Sequence, residues 1–217
     1  MGGWREYAAS WAAFLLSHML PAQPALRRPI VALVGERAFL VGYSALSVAI
    51  LAWMIGAAGR APFVSLWGWA WWQAWVTNAA MILACLLLAV GVGVPNPFSI
   101  GGAGNDRYDP TRPGVVALTR HPVLWALALW SGGHLVPNGD LAHLMLFGAF
   151  AGLSLLGMGA LDARRRTTWG AARWAALQPR ASFRAAATRL LVGAVIWTAL
   201  IVSHAAVIGV PPWPSWP

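Results

Sequence analysis

The stretch "RHPVLWALALWSGGHLVPNGD", Arg120 to Asp140, decides how the chain is read. It is apolar enough to cross a bilayer, yet it carries two histidines thirteen positions apart. An ionisable side chain at membrane depth costs about 2.5–3.5 kcal/mol on insertion scales, so it marks a functional-site candidate by default. Histidine is the commonest metal ligand and the usual proximal ligand of haem. A membrane-embedded ligand site is therefore the first expectation.

The rest of the chain agrees with a membrane setting. Hydrophobic residues make up 59% of the 217 positions and charged residues only 10%, against about 25% charged in soluble domains. All fifteen basic residues are arginine; with six acids they give +9. A nucleic-acid binder would spread such charge over a soluble face. Here it clusters in loops, so no nucleic-acid partner is expected. Crossing takes about 20 apolar residues, and six runs qualify, near 4–21, 37–57, 72–93, 117–137, 141–161 and 189–209. Thirteen arginines fall between runs one and two, three and four, or five and six; only Arg5 and Arg60 fall on the other side. The positive-inside rule then places those three loops in the cytoplasm and both termini in the periplasm. The predicted fold is all-α, a polytopic membrane helix bundle of about six transmembrane helices in one domain, 1–217.

Other segments constrain the reading further. No basic start precedes Arg5, so the first run is expected as a span and not as a cleaved signal peptide. Glu6 breaks a myristoylation pattern. Cys85 is the sole cysteine; no intrachain disulfide can form, and a buried apolar role is expected. The loop 94–116 is rich in Gly, Pro and Asp, which oppose a helix. Its "GGAGND" lacks the strand and the Lys-Ser/Thr of a phosphate loop. "SLWGWAWWQAW", 65–75, holds five of the fifteen tryptophans and reads as an interfacial aromatic belt. Residues 169–188 mix Trp169, Trp174 and Phe183 with Arg173, Arg180 and Arg184 and read as an interfacial amphipathic segment facing anionic lipid.

Five histidines, His18, His121, His134, His143 and His204, are spread over four of the runs. Each alone could be an interfacial, hydrogen-bonded side chain. Together they invite a b-type haem, which needs two axial ligands from facing helices. His121 and His134 lie about 20 Å apart along one helix, so neither can share an iron with the other. Helix depth pairs His18 with His121, or His134 with His204. A ligating imidazole usually gives its second N–H to a carboxylate or carbonyl; Ser131, Asn138 and Asp140 are the candidates near His134. Gly132 and Gly133 would let a helix or a flat macrocycle come close.

Two blocks, "SHMLPAQPALRRPIVALVGERAFLVGYSALSVAILAWMIGAAGRAPFVSLW" and "RHPVLWALALWSGGHLVPNGDLAHLMLFG", resemble the NnrU family. These are bacterial membrane proteins associated with denitrification and nitric oxide metabolism, related to 15-cis-ζ-carotene isomerase, a b-haem membrane enzyme. The resemblance covers about residues 10–160. It implies a multi-pass protein of the bacterial inner membrane that binds haem b, with His18 and His134 as metal ligands and His121 and His204 in reserve. Where the isomerase carries a cysteine proposed as an alternative ligand, this chain has Ser131, so an exchange between cysteine and histidine is not available. Arg120 could pair a haem propionate or simply anchor the topology.

"RHPVLW" followed by a span and a basic stretch is also similar to isoprenylcysteine and phospholipid methyltransferases, which bind S-adenosylmethionine through RHP and a later pair of glutamates. Here "LDARRRTTWGAARWAALQPR" offers Asp162 but no such pair. Four functions stay open: a redox or nitric-oxide-associated haem b protein, a carotenoid cis–trans isomerase, a non-catalytic accessory subunit, and an S-adenosylmethionine-dependent methyltransferase. The partner classes are membrane lipid, an apolar or small-molecule substrate, and a membrane protein complex. No catalytic residue is assigned.

Overall fold

Inside a bilayer every backbone N–H and C=O must find its partner within the protein, and the helix does this within one segment. The computed structural model describes residues 2–21, 23–184 and 186–213. Among them lie seven α-helices: α1 (Gly2–Met19), α2 (Pro24–Val34), α3 (Glu36–Arg60), α4 (Trp71–Gly91), α5 (Pro122–Leu135), α6 (Leu141–Ala176) and α7 (Ala187–Ile208). An isolated bridge between Ser65 and Asp140 is the only β pairing among the described residues. Helices α3, α4, α6 and α7 are long and apolar enough to cross a membrane. The chain is an all-helical membrane protein.

Six crossing helices were expected, and four meet the requirement. α1 occupies the first expected run, but Arg5, Glu6, Ser10, Ser17 and His18 dilute its apolar character. α5 has fourteen residues, about 21 Å by helical rise against a hydrocarbon core of about 30 Å. Pro122 sets its start. A residue before proline avoids the helical region, and His121 accordingly sits at φ −121°, ψ 56°. Residues 117–121 are thus lost from the expected span. α2 fills the stretch between the first two expected runs; Pro24 opens it, where a missing N–H costs nothing. α6 runs 36 residues, beyond the expected end near 161, and is interrupted at Gly170 (φ 75°, ψ 164°), a conformation open essentially to glycine alone. The loop 94–116 contains no α-helix, only 3-10 turns at Asn105–Arg107 and from Gly114.

The residues group into two compact units, 1–66 with 140–146, and 67–139 with 147–217. In the first, α1 packs on α3. Tyr7, almost wholly buried, donates its hydroxyl to the Ala142 carbonyl at 2.8 Å. Glu6 accepts from Arg60 at 2.6 Å and from the Trp53 indole at 3.2 Å. In the second unit, α4 lies between α5 and α7. A Cβ placed on Gly133 would come within 2.8 Å of Ala80 Cβ, and one on Gly91 within 2.7 Å of the Pro122 ring. On the other side, a Cβ on Gly193 would meet Leu86 Cα at 3.0 Å. Thr77 Oγ1 donates to the Gly133 carbonyl at 2.8 Å, and Arg189 to the Ala89 carbonyl at 2.8 Å. These pairings make α5 and α7 both antiparallel to α4.

Gly133 therefore holds a helix contact, while a Cβ on Gly132 would meet open space. Gly133→Leu is expected to lower the free energy of unfolding by about 1–3 kcal/mol through overpacking, read from denaturation in mixed micelles. Gly132→Ala should be neutral or slightly stabilising, since alanine is the better helix former.

Candidate ligand site

His134 lies in the last turn of α5. Its Nδ1 is 2.8 Å from the Trp130 carbonyl of its own helix. That contact requires an Nδ1–H donor, so Nε2 keeps its lone pair in the neutral ring. The ring rests against Phe147 (centroids 5.4 Å) and Trp130 (5.8 Å). His204, near the end of α7, follows the same rule: its Nδ1 is 2.7 Å from the Val210 carbonyl. Both imidazoles line one cavity of about 400 Å³.

The rest of the lining is mostly apolar, with Met81, Leu200, Ile201 and Trp213 among it. Polar groups interrupt it, Thr77, Asn78 and Asn138 among them. Asn78 donates to the Ala74 and Pro212 carbonyls, and Asn138 donates to the carbonyl of His134 at 2.7 Å. Trp197 also lines the cavity, and its Nε1–H is buried and has no hydrogen-bond partner among the described residues. A buried donor without an acceptor costs about 1–3 kcal/mol.

The other sequence candidates are placed differently. His18, in the first compact unit, has Nδ1 2.8 Å from the Phe14 carbonyl and 3.1 Å from Ser17 Oγ. Its ring stacks on Phe14 and meets Tyr43 edge-on. Ser131 is fully buried, and its hydroxyl turns back to the Leu127 carbonyl at 2.6 Å. His134 thus takes its second-nitrogen partner from main chain, and none of Ser131, Asn138 or Asp140 supplies it. Asp140 instead meets His143 Nδ1 at 2.6 Å.

His121 and Arg120 belong to a separate bracket. His121 Nδ1 is 3.0 Å from Ser99 Oγ, and its Nε2 is 3.0 Å from Asp162 Oδ1. Both ring nitrogens are engaged, and the side chain is buried. Arg120 closes on the same carboxylate through Nε at 3.1 Å and Nη2 at 2.6 Å, with its guanidinium over Trp174. Asn96 Nδ2 donates to the Arg120 carbonyl at 2.9 Å. The arrangement ties the loop 94–116 to α6. It also occupies the acid that a methyltransferase reading would assign to a cofactor. Trp169 and Trp174, expected at a lipid surface, pack edge-on against Phe98 of that loop.

The chain matches the family described as NnrU protein over residues 7–212. It belongs to the NnrU family. No curated protein and no solved structure gives a significant match to it. Within this NnrU chain, sequence reasoning placed His134 and His204 at matching depth, and the fold sets them around one cavity. It overlooked Asn78 and Trp197, although an asparagine inside an apolar run was itself a visible signal.

Removing Asp162 strips Arg120 and His121 of their shared partner. Asp162→Ala is expected to cost about 1–3 kcal/mol of stability and to speed proteolytic cleavage within 94–116. A cleavage rate equal to wild type would show that the bracket does not hold the loop.

Proposed function

We propose that this NnrU protein is a haem b-binding protein of the bacterial inner membrane, with His134 and His204 as the residues that would hold the haem. The observation that carries the reading is the shared cavity, which two imidazoles from different helices line while the Nδ1 of each is held by main chain. Second-nitrogen bonds of this kind are what fix a ligating histidine's tautomer and ring angle. The cavity volume falls within the range of about 300–1,000 Å³ usual for small-molecule and cofactor sites, and its lining is mostly apolar. The donor set therefore suits a b-type haem. Bound there, haem would supply one-electron redox chemistry. The residues of the chain orient the two rings through their Nδ1 contacts to main chain. A redox or nitric-oxide-linked role is the one that the resemblance to denitrification proteins implies.

His18 is the alternative partner that the isomerase resemblance names. It also carries an Nδ1 contact to a main-chain carbonyl and so also retains Nε2. Single substitutions separate the two pairings. Purified wild type from haem-sufficient cells is expected to show a six-coordinate low-spin Soret spectrum. His134→Ala should lose most of the haem, His204→Ala should give a high-spin or haem-depleted spectrum, and His18→Ala should leave it unchanged. A high-spin shift in His18→Ala with His204→Ala unaffected would move the second ligand to His18. Wild type without Soret absorption would overturn the haem reading.

A further inference from the structure

The far end of α4 presents a chamber of the opposite character. It has a volume of about 460 Å³ and lies between the loop 94–116 and the segment leading into α7. Arg107, Arg112, Arg184 and Arg189 line it, against a single acid, Asp109. Arginine is the side chain suited to phosphate, because its planar fork presents several donors at once. None of Arg107, Arg112 and Arg184 has an ion-pair partner within 4 Å among the described residues. Arg189 is fixed by donating to the Ala89 and Val92 carbonyls at the end of α4. Asp109 is turned to other work: its carboxylate accepts from the Thr111 N–H and hydroxyl, each at 2.8 Å. Those bonds hold it below the usual carboxylate range.

Tyr108 adds a second, independent mark. Its hydroxyl is buried and has no hydrogen-bond partner among the described residues. Burial, aided by the charge of Asp109, pushes its pKa up to about 12, so it stays a neutral donor at any physiological pH. Three guanidinium groups without an ion-pair partner among the described residues, and a lining tyrosine whose hydroxyl is unused, leave a demand for an anion with several acceptor oxygens. The remaining wall is apolar and includes Val90, Val94 and Phe183. Val90 and Arg189 belong to the ends of two helices long enough to cross the membrane, so the chamber sits where a span gives way to the headgroup layer.

We propose that this chamber is a phosphate-binding site whose occupant is the phosphate of an anionic phospholipid headgroup or of a free phosphate compound. The arginines and the Tyr108 hydroxyl hold the phosphate oxygens, and the apolar wall accepts the first carbons of a lipid when the source is a lipid. The "GGAGND" segment is not the device; the binding groups are side chains of the following residues and of the segment before α7.

Delipidated full-length protein in neutral detergent should be titrated separately with phosphatidylglycerol, phosphatidylcholine and inorganic phosphate, with bound ligand read by native mass spectrometry and thermal shift. Saturable binding of phosphatidylglycerol, weaker for the zwitterionic lipid and absent for inorganic phosphate, is expected for a headgroup site; saturable binding of inorganic phosphate as well identifies the free compound as a source. In either case Arg112→Gln and Arg184→Gln should each weaken binding about fivefold, the effect of about one arginine near an anionic surface. Tyr108→Phe should weaken it measurably while leaving the unliganded melting temperature near wild type. Arg28→Gln, with the same charge change on α2, should have no effect. The proposal is overturned if the two pocket variants bind like wild type, or if Arg28→Gln weakens binding as much as they do.

Discussion

Close approach of α4 to its two neighbours is the constraint on which the second compact unit depends. Lipid tails are as apolar as leucine, so helices in a bilayer gain little from hiding apolar surface from one another. What remains is van der Waals contact and hydrogen bonding at short range. Gly91, Gly133 and Gly193 supply the range, since each sits where a Cβ would press on a neighbouring helix. The Thr77 hydroxyl reaching the Gly133 carbonyl becomes possible only at that distance. α7 shows the same economy: Gly193 is its one buried residue, and most of its large apolar side chains are exposed, where lipid can meet them.

A helix held this way on both sides has its ends defined, and the two chambers lie at those ends. Asn78 marks one and Val90 the other, about 18 Å apart along the axis. Their chemistry divides as the membrane requires. The imidazole cavity has no charged residue in its lining. The arginine chamber sits at the C-terminus of α4, where the helix dipole and the free carbonyls favour cations. Arg189 exploits both by donating to Ala89 and Val92. It begins one helix while capping the end of another. The excess of arginine in the loops therefore serves local geometry as well as topology.

The sequence carried the helical class and four spans because long apolar runs are unambiguous. It misjudged α5, where the decisive feature is local and small: Pro122 forces His121 out of helical geometry and shortens the helix. It missed α2 because an 11-residue helix with two arginines and Pro29 leaves no span-length signal. The continuation of α6 past 161 was hidden by Arg164, Arg165 and Arg166, which read as loop charge yet sit in helix. Of the site, the depth match of His134 and His204 was legible from helical rise. The bracket of Arg120, His121 and Asp162 was not, because its partners are more than forty residues apart and no periodicity links them.

The partners of the five histidines sort them by role. His121 and His143 stand at or near helix starts, and each meets an aspartate. His18, His134 and His204 lie within or near the ends of apolar helices, and each sets Nδ1 against a main-chain carbonyl. A carboxylate beside a ring at membrane depth would bring its own desolvation cost and would draw a proton onto the imidazole. A carbonyl orients the ring without adding charge, and in the tautomer that donates Nδ1–H to it, Nε2 is the acceptor. Only a neutral imidazole can donate a lone pair to a metal. The same choice of partner that makes a buried histidine tolerable in lipid also leaves it competent as a ligand. His134 and His204 are the two that meet this condition around one cavity, beside an indole N–H that still lacks an acceptor among the described residues.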